Sequence, residues 1–187
     1  MLKEIYRAIY PNKCLFCKRA LDDKRAFDCC VGGVAPYPYD DVTKVPIHAL
    51  KYGGVKSLAL PMARAMATIG DCSLLMPVPL HGGRLKERGF NQAALLAGEL
   101  ARLMKIPMVD GLVRIRDTAP QHGLKLEERV KNLEGAIAVK EGFGPENLAI
   151  LLVDDIYTTG STANECIRVL MEACAKSVDI AVFAKVK

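Results

Sequence analysis

The chain has 187 residues, 51% of them hydrophobic and 25% charged, with a formal net charge of +5. That length suffices for one α/β domain plus a small appendage, and no apolar run is long enough to form a membrane-spanning helix, so membrane insertion is not expected. Seven cysteines, odd in number and unevenly spaced, argue against a disulfide framework and for reduced thiols, with a metal site among them as one use.

The opening MLKEIYRAIYPNK mixes charges into its apolar residues and lacks a small-residue cleavage site. No signal peptide is expected, and the expected location is the cytoplasm. Residues 2–9 suit a short helix that Pro11 would end. Next, Cys14 and Cys17 stand at the two-residue gap of a zinc knuckle, with Cys29 and Cys30 twelve residues further on. Tetrahedral zinc takes four ligands, commonly two such pairs. Adjacent cysteines rarely reach one ion together, so the expected ligands are Cys14, Cys17 and one or both of Cys29 and Cys30. The alternative is a degenerate finger whose thiols merely pack.

Pro36, Pro38, Asp40 and Asp41 mark an expected linker. It separates a zinc-finger-like segment, 1–35, from the main domain, 36–187. Beyond it IHALKYGG and SLALPMARAMATIG read as helical segments parted by Gly53 and Gly54, with His48 and Lys51 close at helical spacing. A lone histidine is by default structural. SLLMPVP at 73–79 reads as a strand, and Leu96, Ala97, Leu100, Leu103 and Met104 predict an amphipathic helix over about 91–105. Between them lies an expected basic loop with Arg84, Lys86 and Arg88. Residues 81–131 carry ten Lys/Arg against six Asp/Glu. Such a surplus suits a diphosphate or single-stranded nucleic acid, although a solvated face is the default.

Residues 108–116 and 135–140 read as partner strands around a long polar connection, TAPQHGLKLEERVKNLEG. Long ordered connections of this kind commonly serve as lids or binding loops. The chain closes with a last strand in SVDIAVFAKV. Strands alternating with helices from about residue 73 predict a parallel sheet covered by helices on both faces, with ligand held at its carboxyl edge.

The richest stretch is LAILLVDDIYTTGSTANECIRVL, residues 148–170. An apolar strand over 148–153 is expected to end at Asp154 and Asp155, followed by a loop, Thr158 to Thr162, and a helix. A helix start offers unpaired N–H groups and partial positive charge to a phosphate, and Gly160 lets the backbone approach closely. The carboxylates repel phosphate; they suit ribose hydroxyls or a magnesium ion. Phosphate beside diol describes a ribose 5-phosphate. The bland alternative is an ordinary strand–turn–helix with solvent-facing Asp and Thr.

VDDIYTTGST resembles the phosphoribosyl pyrophosphate (PRPP) motif of type I phosphoribosyltransferases. The wider chain resembles the ComF family, through CLFC at 14–17, IHALKYGG at 47–54, PVPLH at 77–81, RLKERGFNQAALLA at 84–97 and TAPQHGLKLEERVKNLEGAI at 118–137. The family usually has a second Cys-x-x-Cys, where this chain has Cys29-Cys30. The resemblance implies a type I phosphoribosyltransferase fold behind a small zinc finger. It implies that Asp154 and Asp155 are the catalytic acids on the ribose and that Tyr157, Thr158, Thr159, Gly160, Ser161 and Thr162 cradle the 5-phosphate. Pro79, Leu80 and His81, with Arg84 and Arg88, would meet pyrophosphate, and Arg116, Gln121 and Arg129 would sit in a flexible loop over the site. It further implies PRPP with Mg2+, structural Zn2+, single-stranded DNA and a helicase-type competence partner as ligands and partners. Two functions then stand open: phosphoribosyl transfer to some acceptor with release of pyrophosphate, or PRPP sensing by a non-catalytic DNA-uptake protein.

Overall fold

Strands buried on both faces read as unbroken apolar runs, and the inner strands here are of that kind. The computed structural model describes residues 35–67, 72–116 and 134–186. In chain order these form β1 (Tyr37–Pro38), α1 (Asp41–Lys51), a 3-10 turn (Lys56–Leu58), α2 (Ala59–Met66), β2 (Leu74–Pro77), α3 (Gly82–Arg88), α4 (Gln92–Met104), β3 (Leu112–Arg114), β4 (Ile137–Val139), β5 (Ala149–Tyr157), α5 (Ser161–Glu172) and β6 (Ser177–Lys185).

Four strands make a parallel sheet in the order β1-β6-β5-β2. β5 runs beside β6 from Ala149 opposite Ser177 to Tyr157 opposite Lys185, and beside β2 from Leu74 opposite Ile150 to Pro77 opposite Val153. Successive side chains of a strand point to opposite faces. Leu151 and Val153 of β5 accordingly pack with Ile47 and Leu50 of α1, Met62 of α2 and Leu96 and Leu100 of α4. Ile150 and Leu152 pack the other way, with Cys166 and Leu170 of α5 and with Leu112 and Ile137. The expected α/β architecture, a parallel sheet covered on both faces, is borne out. β3 and β4 pair as expected but antiparallel, in a separate two-stranded sheet.

Three expectations are corrected. The expected linker is built into the domain. Tyr37 and Pro38 pair with the end of β6, and Asp40 caps α1, accepting from the N–H groups of Val42 and Thr43 while its own N–H donates to the Thr43 hydroxyl. Proline is tolerated there because the strand lies at a sheet edge. The expected basic loop is the helix α3, which buries none of its residues and is set by its ends: His81 Nδ1 accepts from the Gly83 N–H at 3.1 Å, and Gly89 takes a left-handed φ of 74°. Finally, β5 does not stop at the acids but continues through them to Tyr157. Among the described residues, no helix is long and apolar enough to cross a membrane.

Candidate functional site

β2 and β5 are parallel neighbours, so the loops leaving their carboxyl ends emerge side by side. Between them is a cavity of about 300 Å3. One wall comes from β5 and the loop after it: Asp154, Asp155, Ile156, Thr158 and Thr162. Opposite stand Val78, Pro79 and Leu80 after β2, Arg84 of α3, and Asn91 and Gln92 at the start of α4. Asn91 fastens this second wall. Its carbonyl accepts from the Ala93 N–H as the cap of α4, while its amide donates to the Val78 carbonyl at 3.0 Å. Tyr39, His48, Lys51, Tyr52 and Arg114 complete the lining.

The two acids do not form a matched pair. Pleating turns them to opposite sides of β5. Asp155 continues the Leu151–Val153 row toward α1; it is only 3% exposed and ion-paired with Lys51. Asp154 is half-buried, and one of its oxygens accepts the Asp155 N–H at 2.8 Å. Burial, then the neighbouring Asp155 charge, push the Asp154 carboxyl well above the ordinary aspartate range. Burial alone would lower the Lys51 ammonium, but the Asp155 carboxylate outweighs it and holds Lys51 raised, hence charged.

Gly160 opens α5 with a φ of 76°. A β-carbon there would run into the Tyr157 hydroxyl, so the turn has room for glycine alone. The Thr159 and Ser161 hydroxyls bond each other at 2.8 Å. Lys185 places its ammonium 5.3 Å from the centre of the Tyr157 ring. Together these contacts hold the turn, with Thr158 before it and Thr162 in the first turn of α5 lining the cavity.

Of the residues singled out in sequence, Asp154, Asp155, Thr158, Thr162, Pro79, Leu80 and Arg84 meet around one cavity. Arg88 is engaged beside it, 4.9 Å over the Tyr52 ring and bonded to Gln92 at 3.2 Å. His81 serves as the helix cap. Arg116 donates to the Glu134 carbonyl across the base of the polar connection. Gln121, Arg129, Cys14, Cys17, Cys29 and Cys30 lie outside the described residues. Among the described residues no group of three or more His, Cys, Asp or Glu is placed to hold a metal ion.

Sequence reasoning left Lys51, Tyr39, Tyr52, Asn91 and Arg114 out of the site. For Lys51 a signal existed: it shares the buried face of α1 with Ile47 and Leu50, an unusual place for an ammonium without a partner. A second anchor was also missed. Glu165 of α5 is 7% exposed, accepts the Gly135 N–H at 2.7 Å and binds Arg168 through both oxygens. Those hydrogen bonds, the Arg168 one foremost, hold its carboxyl below the usual glutamate range.

Residues 91–187 match the family described as "Phosphoribosyl transferase domain". Competence protein F of Haemophilus influenzae is 38% identical over 109 residues, 57% of this chain and 47% of that protein. The DNA utilization protein YhgH of Salmonella typhimurium is 31% identical over 145 residues, 72% of this chain and 63% of its own. Competence protein ComFC of Bacillus subtilis is 30% identical over 157 residues, 81% of this chain and 62% of its own. The chain thus spans between about half and just under two thirds of the length of these relatives.

Proposed function

Since the chain belongs to the phosphoribosyl transferase domain family, we propose that it binds PRPP at the carboxyl edge of its sheet and transfers the phosphoribosyl group to an acceptor with release of pyrophosphate. The competence names of its relatives bear out the resemblance to the ComF family. What carries the reading is the cavity on which the glycine turn, Asp154 and the loop after β2 converge. The 5-phosphate takes the N–H groups at the start of α5 and the Thr158 and Thr162 side chains. Asp154 accepts from the ribose hydroxyls. The diphosphate lies along Pro79 and Leu80 toward Arg84.

In transfer, the bond from ribose C1 to the diphosphate oxygen breaks as the acceptor forms its own bond to C1 and loses a proton. The protein contributes positioning and charge stabilisation. The described residues offer no ready-made cage for magnesium. Asp154, the acid not ion-paired with Lys51, would help hold it, and it would supply charge neutralisation to the leaving group. Zinc on Cys14, Cys17 and the Cys29-Cys30 pair is a further proposal, tested by metal analysis of the full chain.

A second reading is favoured by the names of the relatives, two competence proteins and a DNA utilization protein. Here PRPP is a sensed ligand, and the protein serves DNA uptake by holding single-stranded DNA beside a helicase-type partner. One experiment separates the claims. PRPP with magnesium is expected to raise Tm, and pyrophosphate released in the presence of a panel of bases and amines marks turnover. A Tm shift with no pyrophosphate from any acceptor favours the second reading; no shift removes both.

A further inference from the structure

The two acids pose an electrostatic problem for the function proposed above. Although they leave β5 on opposite sides, both line the cavity, where two ionised carboxylates would oppose bound phosphoryl groups. The charge that answers one of them comes from α1, before the segment that matches the family. Lys51 reaches from the last turn of α1 to Asp155, with side-chain exposures of 16% and 4% for the two partners. Lys51 lines the cavity with Arg84 and Arg114, while His48 of α1, Tyr52 just after it and Tyr39 line it alongside. A diphosphate bound in this cavity therefore shares it with the Lys51–Asp155 pair.

We infer that Lys51 is a positioning and specificity residue: by engaging Asp155 it leaves Asp154 as the single acid presented to the sugar, and by cancelling one carboxylate it admits a ligand with three phosphoryl groups. This rests on the PRPP reading and adds a division of labour between the acids. An unpaired carboxylate in so sheltered a place repels each phosphoryl group nearby. Its effect scales with the ligand's charge. Ribose 5-phosphate, with one phosphoryl group at the far end of the cavity, feels it least.

The test is calorimetric titration of the full-length protein with magnesium PRPP and, separately, ribose 5-phosphate. Lys51→Met is expected to weaken PRPP binding on the order of tenfold or more, and ribose 5-phosphate binding by less than about threefold. Lys51→Arg is expected to keep both affinities near wild type. Asp155→Asn, which frees the ammonium, is expected to act with opposite sign, tightening PRPP relative to ribose 5-phosphate. It keeps the test decisive if Lys51→Met does not fold. The double variant should return the ratio of the two affinities toward wild type. Equal weakening of both ligands by Lys51→Met, or a loss of PRPP binding in Asp155→Asn, overturns the inference while the PRPP reading stands. A wild-type protein that binds neither ligand overturns both.

Discussion

At the scale of single residues, Asp154 illustrates a conflict between stability and binding. Its carboxyl titrates above the ordinary aspartate value, so over that interval the folded state holds a proton the unfolded state has released. Ligand-free stability therefore falls as pH rises from the usual aspartate range toward the raised one. Asp154→Asn is expected to raise the Tm of the ligand-free protein at neutral pH by about 2–4 °C. The same change is expected to erase the Tm shift proposed for PRPP. Thermal melts from acid to neutral pH, with and without ligand, check both. Gly160→Ala should cost about 1–2 kcal/mol for the left-handed backbone alone, and more because its β-carbon meets the Tyr157 hydroxyl. Because that β-carbon would also meet the Tyr157 ring itself, only removal of the ring should relieve the second part: in a Tyr157→Ala background Gly160→Ala should cost the backbone share alone, which urea titration of the variants measures. The acids and the glycine turn were legible in sequence because they are contiguous and each has a local chemical reason. The Lys51 partnership was not, because pairing between distant positions depends on the fold, and only the apolar face shared with Ile47 and Leu50 hinted at it.

Elements show the same division. α4 was legible from its apolar period, and β5 and β6 from apolar runs that both faces of the sheet bury. α3 was not, since periodicity has nothing to register in a helix without a buried side; its signals are a capping His81 and a terminating Gly89. The edge strand β1 was hidden by prolines that usually mean a turn. Glu165 links elements that sequence cannot join, seating the start of the β4 segment on α5 through the Gly135 N–H. Glu165→Ala should destabilise the protein by about 0.5–1.5 kcal/mol, the net worth of the lost hydrogen bond, since Gly135 is exposed and its N–H can turn to water. Hydrogen exchange should show faster exchange at Gly135, with β2 and β5 keeping their protection. Because the Glu165 carboxyl is held low, its contribution is present above the ordinary glutamate range and is lost as pH falls from there through the lowered one. The stabilities of the wild type and of the Glu165→Ala variant are therefore expected to converge in acid.

For the molecule as a whole, the sheet with its two unlike faces gathers the candidate site at one edge, and three of the basic residues, Arg84, Lys86 and Arg88, lie close to it on exposed α3. If single-stranded DNA runs along this rim, affinity should fall steeply with salt. Arg84→Gln with Lys86→Gln should then flatten the slope of log K against log salt by about 1.4. An unchanged slope excludes α3 from the contact. The sheet's outer ribbon carries a practical consequence for anyone trimming the protein. The Tyr37 ring packs at a tilt against the fully buried Phe183, 4.9 Å between centres, and Tyr39 continues the pairing through its N–H to the Lys185 carbonyl. A shortened version must therefore start no later than Ala35; scissors applied at Asp41 would strip the rim off the sheet, bare an aromatic ring to water and behead the helix that carries Lys51.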